Sequence, residues 1–325
     1  MTTTVLNESL GGASGDVVVR PLQESEVDEA DRVMRLAFGT FLGAPDPGAV
    51  FGDAEMVRPR FAAEPSWAFA AEIDGVLVGS SFATRWGSFG FVGPVTVRPD
   101  LWDRGIAGRL MQPVVDLLNR WQLRQSALFT FPHSPKHIGL YQKFGFWPQY
   151  LTPVLEQAVA PTGGRGYSTY SSLTDAERPD VLGACQRVTG AIFEGLDVGH
   201  EIRATAAQSL GDTVLIHDDS QLVGFAVCHL GAGEAGSGAC FVKFAAVRPG
   251  PGAANAFERL LDACEALAAE RDLARIVAGV NLARHDAYSR LLARGYLVSF
   301  EGVIMQRPNE HGYCRPDVYA IDDLR

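Results

Sequence analysis

The stretch 97-VRPDLWDRGIAGRLM-111 decides how the chain is read. A strand end runs into a turn containing Gly105, Ala107 and Gly108, and an apolar helix follows. Such a junction gathers free backbone N–H groups at the helix N-terminus, where the helix dipole also favours an anion. Gly105 permits φ angles closed to other residues, and Ala107 and Gly108 keep side chains small, so a diphosphate can approach the backbone. Neither Gly-Lys-Ser/Thr nor Gly-x-Gly-x-x-Gly is present, so phosphoryl transfer on a Walker loop and hydride transfer from a dinucleotide lose support.

A second segment, 247-VRPGPGAANAFERLL-261, stands 150 positions later (247 minus 97). The pair 145-GF-146 and 295-GY-296 repeats the same offset, and two capping signatures, Ser25 to Asp28 and Thr174 to Glu177, lie 149 apart (174 minus 25). Three signposts in one order at a nearly constant offset indicate a tandem duplication. Around them the first half alternates strands at 17–23, 67–89 (a hairpin about Asp74-Gly75), 91–97 and 126–131 with helices starting near Val27, Ile106 and Pro135. Pro113 falls inside the second of these helices and is expected to bend it. The expected class is α/β of the α+β kind: two tandem domains, each a mixed, mainly antiparallel sheet flanked by helices. The boundaries are a flexible tail over 1–16, a first domain over 17–157, a linker over 158–166 broken by Pro161, Gly163, Gly164 and Gly166, and a second domain over 167–325.

With 325 residues, 47% of them hydrophobic, the chain exceeds the usual length of one compact domain. Its net charge of -10, from 28 basic and 38 acidic residues, sets up a field that opposes nucleic acids and anionic membrane surfaces. No segment has the roughly 20 apolar residues that cross a bilayer, and the opening MTTTVLNESLGGASGD lacks a basic start and an apolar core, so a cytoplasmic protein is expected. Cys185, Cys228, Cys240, Cys264 and Cys314 are odd in number and never form Cys-x-x-Cys, so neither a disulfide framework nor a metal site is expected.

The run at 97–111, followed by 138-IGLYQKFGF-146, resembles the GNAT superfamily of N-acetyltransferases. Those proteins carry a V-x-P segment at the end of a splayed strand, an (Arg/Gln)-x-x-Gly-x-(Gly/Ala) turn for the pyrophosphate of acetyl-CoA, and a later Leu-Tyr-x-x-x-Gly-Phe. Gly105 and Ala107 match the turn, and Leu140, Tyr141, Gly145 and Phe146 match the second motif. The resemblance implies acetyl-CoA as cosubstrate, with Arg104, Gly105, Ile106, Ala107, Gly108 and Arg109 around the pyrophosphate. It also implies a carbonyl-polarising backbone N–H at Val95 or Val97, since Pro94 has none, and Tyr141 as donor to the departing sulfur. Trp102 departs from the family's Arg or Gln, and Ser134 stands where many members have Asn. The strand 89-FGFVGPVTV-97 lacks the carboxylate that many members use as base, which leaves water, a distant acid or His133 in 131-FPHSPKH-137. For the acceptor, the loop 38-FGTFLGAPDPGAVFGDAEM-56 offers Phe41 with Asp46 and Asp53, an apolar pocket edged with acids that suits an amine with a hydrophobic portion.

In the second copy Asn255 replaces Gly105, Phe257 replaces Ala107 and Leu291 replaces Tyr141, so this half reads as a fold without its chemistry. Tyr288 lies nearly one helical turn from Leu291, and the tail 313-YCRPDVYAIDDLR-325 has the apolar residues to add a strand or clasp the other domain. The expected roles of this half are to support the first, to close its cleft or to mediate a homodimer. The expected activity is acetyl transfer to a primary amine of a small molecule or peptide, with no nucleic-acid or membrane partner. A non-catalytic acyl-CoA-binding sensor or scaffold is the rival class.

Overall fold

A computed structural model describes residues 15–160, 166–231 and 233–325. The tail expected over 1–16 lies outside the described residues up to position 14, as does the linker expected over 158–166 at 161–165. In the first half the strands are β1 (Val18–Pro21), β2 (Ala68–Ile73), β3 (Val76–Trp86), β4 (Phe89–Val97), β5 (Gln125–Thr130) and β6 (Trp147–Ala158). The helices are α1 (Val27–Phe41), α2 (Val57–Ala63), α3 (Ile106–Arg120) and α4 (Pro135–Gln142). The second half carries β7 (Tyr167–Thr169), β8 (Gly211–Asp218), β9 (Gln221–Leu230), β10 (Ala239–Val247), β11 (Arg275–Gly279), β12 (Leu297–Arg307) and β13 (Ala320–Ile321). Its helices are α5 (Arg178–Ile192), α6 (Gly199–Ala207), α7 (Ala253–Glu270) and α8 (His285–Ala293).

Local signals place most of these elements. The hairpin turns at Asp74 and Gly75, both at positive φ. The helix α3 runs unbroken through Pro113. Before α1, the cap expected from Ser25 and Asp28 is displaced: the Gln23 N–H donates to the Glu26 carboxylate at 3.0 Å, residues 24–26 form a single tight turn, and α1 begins at Val27. At the second copy, the backbone N–H and hydroxyl of Thr174 both donate to Glu177, at 2.8 and 2.7 Å, one turn ahead of α5.

The sheet differs from the expectation of one sheet per domain. Among the described residues thirteen strands form a single sheet in the order β1-β2-β3-β4-β5-β12-β6-β11-β10-β9-β8-β7, with β13 paired to β10. The closing strands are exchanged: β12 pairs antiparallel with β5 (Val303 opposite Thr130), β6 pairs antiparallel with β11 (Leu155 opposite Ala278), and β6 and β12 pair with each other. Each exchanged strand satisfies an edge that would otherwise present a row of unpaired backbone groups.

Helices cover both faces. On one face, Val33 and Met34 of α1 and Val57 of α2 pack with Ala68, Ala70 and Phe82. On the other, Ile106 and Leu110 of α3 pack with Ala71, Val78 and Val97, as the two-residue period of a strand requires. The halves also share a core: Trp86, Phe89 and Phe91 sit in one cluster with Phe225, Phe244 and the α5 residues Val188 and Ile192. All five cysteines are free and buried.

Candidate active site

The site begins where two strands part. The parallel strands β4 and β5 stay in register only from Phe89 opposite Gln125 to Val92 opposite Leu128, although β4 continues to Val97. At the parting point β4 bulges: Val92 lies opposite Ala83 and Val95 opposite Ser81, so the Gly93-Pro94 pair spans what one residue spans on β3. A proline is tolerated there because the bulged position needs no ladder donor. Beyond the bulge the Arg98 N–H donates to the Val78 carbonyl at 2.8 Å. Because an antiparallel pair alternates bonded and unbonded residues, Thr96 then faces β3, while the N–H groups of Val95 and Val97 point into the gap that β5 has left.

Below the gap lies the turn. Gly105 is the N-cap of α3 at φ 76, and a Cβ added at Gly105 or at Gly108 meets no heavy atom within 4 Å. The backbone N–H groups at the start of α3 therefore border open space at Gly105 and Gly108 rather than packed side chains. Trp102 acts locally, its indole N–H donating to the Val97 carbonyl at 2.7 Å and tying the turn to the strand end. Arg104 is exposed, whereas Arg109 reaches back to the Val17 carbonyl at 2.8 Å. Lys136 of α4 pairs with Asp103 of the turn at 2.7 Å across the groove.

On α4, Ser134 is the N-cap, accepting from the His137 N–H at 3.4 Å. Tyr141 is 8% exposed among Met111, Val114, Leu128 and Phe146, and burial pushes its phenol up to about 12. It stays protonated through the neutral range, as a donor to a thiolate must.

Phe41, at the end of α1, lies 4.4 Å from Phe131, 4.8 Å from His137 and 5.7 Å, stacked, from His133. Phe131 in turn lies 5.8 Å from Phe300 of the exchanged β12. The structure thus brings Phe41 and His133 together, but His133 is exposed. His137, missed in the sequence, is half-buried, and its Nδ1 is buried without a partner. Burial lowers its pKa below the ordinary imidazole value, with His133 and Lys136 adding to the effect. The acids of the same loop are already engaged. Asp46 accepts from the Gly48 N–H at 3.1 Å, and both oxygens of Asp53 are bonded by the backbone and hydroxyl of Ser237, which hold its carboxyl below the usual range. No sequence signal announced the Asp53–Ser237 contact, since it joins residues 184 apart.

The second copy repeats the parting strands and fills the gap. There β10 and β11 separate after Val242 opposite Ala278, and β10 bulges at Lys243, 150 positions after Gly93. Into that gap runs the tail: Ile321 pairs with Ala245, Ala320 with Ala246, and the Val247 N–H donates to the Tyr319 carbonyl at 3.2 Å. The strand positions equivalent to Val95 and Val97 are therefore covered by the chain itself. Tyr319 packs 5.5 Å from Phe257 at the former turn, and Arg284 pairs with Asp322 at 2.9 Å with both side chains fully buried. Leu291, in place of Tyr141, is fully buried, and Tyr288 packs against the same core.

A splayed strand with outward N–H groups, an open glycine turn at a helix start and a buried tyrosine on the following helix are arranged as in the GNAT fold. Comparison with known proteins agrees: residues 37–146 match the acetyltransferase (GNAT) family. The family's cosubstrate is acetyl-CoA. No curated protein matches the chain. Among solved structures, a candidate acetyltransferase from Pyrococcus horikoshii is 13% identical, with a TM-score of 0.67 over 98% of this chain and 98% of that one. A GCN5-related N-acetyltransferase from Sphaerobacter thermophilus is 13% identical, with a TM-score of 0.57 over 90% of this chain and 95% of that one. A tandem GNAT protein from the clavulanic acid biosynthesis pathway is also 13% identical, with a TM-score of 0.53 over 90% and 98%. These likenesses extend the fold over both halves. Among the described residues no cluster suits a metal ion, and no helix is long and apolar enough to cross a membrane.

Proposed function

We propose that the first half transfers the acetyl group of acetyl-CoA directly to a primary amine of a small molecule or peptide. The observation that carries this reading is the gap beside Val95 and Val97: unpaired strand N–H groups face it, the turn at Gly105 is open, and Tyr141 lies in the core cluster against which Val95 packs. The Gly105–Arg109 backbone would hold the pyrophosphate, with Arg104 at its edge and Ser134 fixing the start of α4. The amine nitrogen attacks the thioester carbon, and the Val95 N–H accommodates the charge that develops on the oxygen. When the C–S bond breaks, Tyr141 donates its proton to the sulfur, and an imidazole of the His133–His137 pair takes the proton from nitrogen. His137 is the better placed of the two, because its unpartnered Nδ1 lies in the aromatic pocket of Phe41 and Phe131. That pocket favours an amine with an apolar or aromatic portion, and Asp46 and Asp53 then serve its walls rather than the amine.

The repeat, with bulges at Gly93 and Lys243, supports division of the chain into two GNAT-like units over 17–157 and 167–325, the second retained for its architecture. The test is a CoA-release screen over amines, polyamines, amino acids, antibiotics and peptides. With an accepted amine, Tyr141→Phe should lower kcat by about 10²-fold or more while acetyl-CoA binding stays within about twofold of wild type. A non-catalytic sensor would bind acetyl-CoA and release no CoA with any amine, and that result would retire the enzyme reading.

A further inference from the structure

Beside the gap lies a buried charged cluster that the reaction above does not use. Arg60 of α2 donates from Nη1 to the Gly93 carbonyl, the first residue of the β4 bulge, at 2.6 Å. Its Nε donates to Glu234 of the second half at 2.7 Å, and its Nη2 to the Arg325 carbonyl oxygen. Glu234 is also paired with Lys243, whose Nζ reaches the Arg325 carbonyl at 3.2 Å. The side chains of Arg60 and Glu234 are 8% and 3% exposed, so these bonds form away from bulk solvent, where hydrogen bonds to charged groups are strong. Lys243 is itself the residue at the β10 bulge. The two bulges of the repeat are thus joined through one guanidinium, one carboxylate and one ammonium. Burial opposes ionisation of Glu234, yet Arg60 and Lys243 hold its carboxyl far below the usual range, so Glu234 is ionised at neutral pH. A small cavity of about 30 Å³ borders Arg60, Phe91, Glu234 and Lys243.

We infer that Arg60 is a positioning residue for acetyl transfer: it clamps the Gly93 carbonyl, and so fixes the direction of the Val95 N–H, and it is aimed by Glu234 from the second half. The inference rests on the acetyltransferase reading and adds a role for the second copy. A bulge held by one strand neighbour has freedom to rotate, and a donor misaligned by a fraction of an ångström loses most of its effect on a developing oxyanion. The turn at Gly105 does not touch the cluster, so cosubstrate binding and turnover should respond separately.

The test uses the full chain and begins with wild-type CoA release on an accepted amine. Arg60→Ala is expected to lower kcat by about 100-fold, the scale of losing one oxyanion donor, with the dissociation constant for acetyl-CoA within about threefold of wild type. Arg60→Lys keeps a cation with fewer donors and should recover about tenfold of that loss. Glu234→Gln keeps the shape and one acceptor, and should lower kcat by about tenfold without raising KM; it decides the matter if Arg60→Ala does not fold. Wild-type turnover retained within about twofold by the folded Arg60 and Glu234 variants would overturn the positioning role alone. A loss seen in acetyl-CoA binding in place of kcat would overturn it as well, by assigning the cluster to the cosubstrate. Absence of CoA release from wild type with every amine would overturn the acetyltransferase reading and this inference together.

Discussion

His137 shows how much one residue's surroundings decide. One histidine precedes α4 and one lies in its first turn, and the sequence points to His133, just beyond the strand end. His133 is exposed, whereas His137 is half-buried with an orphaned Nδ1 against Phe41. Desolvation, then His133 and Lys136, keep its pKa below the ordinary value of 6.5, so the imidazole is neutral and able to accept a proton at pH 7. A base with a lowered pKa loses activity only when the pH falls through that lowered value. The acid limb of kcat/KM should therefore lie below pH 6.5, with activity unchanged from there through neutrality. His137→Gln should remove that limb and reduce kcat by about 10²-fold or more. A pH-rate profile measured on both proteins checks it; a limb that persists in His137→Gln and disappears in His133→Gln would move the role to His133. The contrast between the two histidines was illegible in the sequence, because exposure, which separates them, depends on the packing of Phe41 at the end of α1 and Phe131 after β5.

The strands and helices were legible in unequal measure, for a physical reason. Elements carrying their own signal, the Asp74-Gly75 hairpin and the glycine turn into α3, stand where periodicity and turn chemistry put them. The exchange of β6 and β12 carries no local signal, since either strand offers β5 or β11 a similar row of backbone groups and alternating apolar side chains. What does record the exchange is a single glycine. Gly302 of β12 passes the ring of Phe129 on β5 so closely that an added Cβ would lie 2.0 Å from the ring's Cζ. Glycine is needed there for want of space rather than for its backbone angles. Gly302→Val should therefore force Phe129 from its place against Phe300 and lower stability by about 1–3 kcal/mol, read as a shift in the urea midpoint at unchanged slope. A variant as stable as wild type would mean that β12 does not lie this close to β5. If the amine docks against the proposed Phe41–Phe131 cluster, which Phe300 packs against, the same substitution should also raise KM for the amine while leaving acetyl-CoA binding in place.

Across the whole molecule, duplication has produced one continuous sheet with two gaps of similar geometry and different fates. The first is bordered by small residues and outward N–H groups; the second is occupied by residues 319–323, which take the strand donors, cover the former turn with Tyr319 and lock in place through Arg284 and Asp322. The replacements at Asn255, Phe257 and Leu291 were legible in the sequence of the second copy, but the filling of its gap was not, since a short tail of mixed residues has no period that names its neighbour. Asp323 comes within 2.3 Å of where a Cβ on Gly279 would stand, so the fit of tail to gap is close on both sides. An acyl-CoA entering there would have to expel a strand and separate a fully buried ion pair, and removing one partner of such a pair typically costs about 3–5 kcal/mol. That penalty alone weakens binding by a factor of about 10²–4 × 10³. Calorimetric titration with acetyl-CoA should accordingly give one site per chain, and Gly105→Glu, which places a carboxylate in the remaining open turn, should abolish that site without creating another. Two sites in the wild-type protein, or one that survives Gly105→Glu, would show that the tail yields to the cosubstrate and that the second gap still binds it.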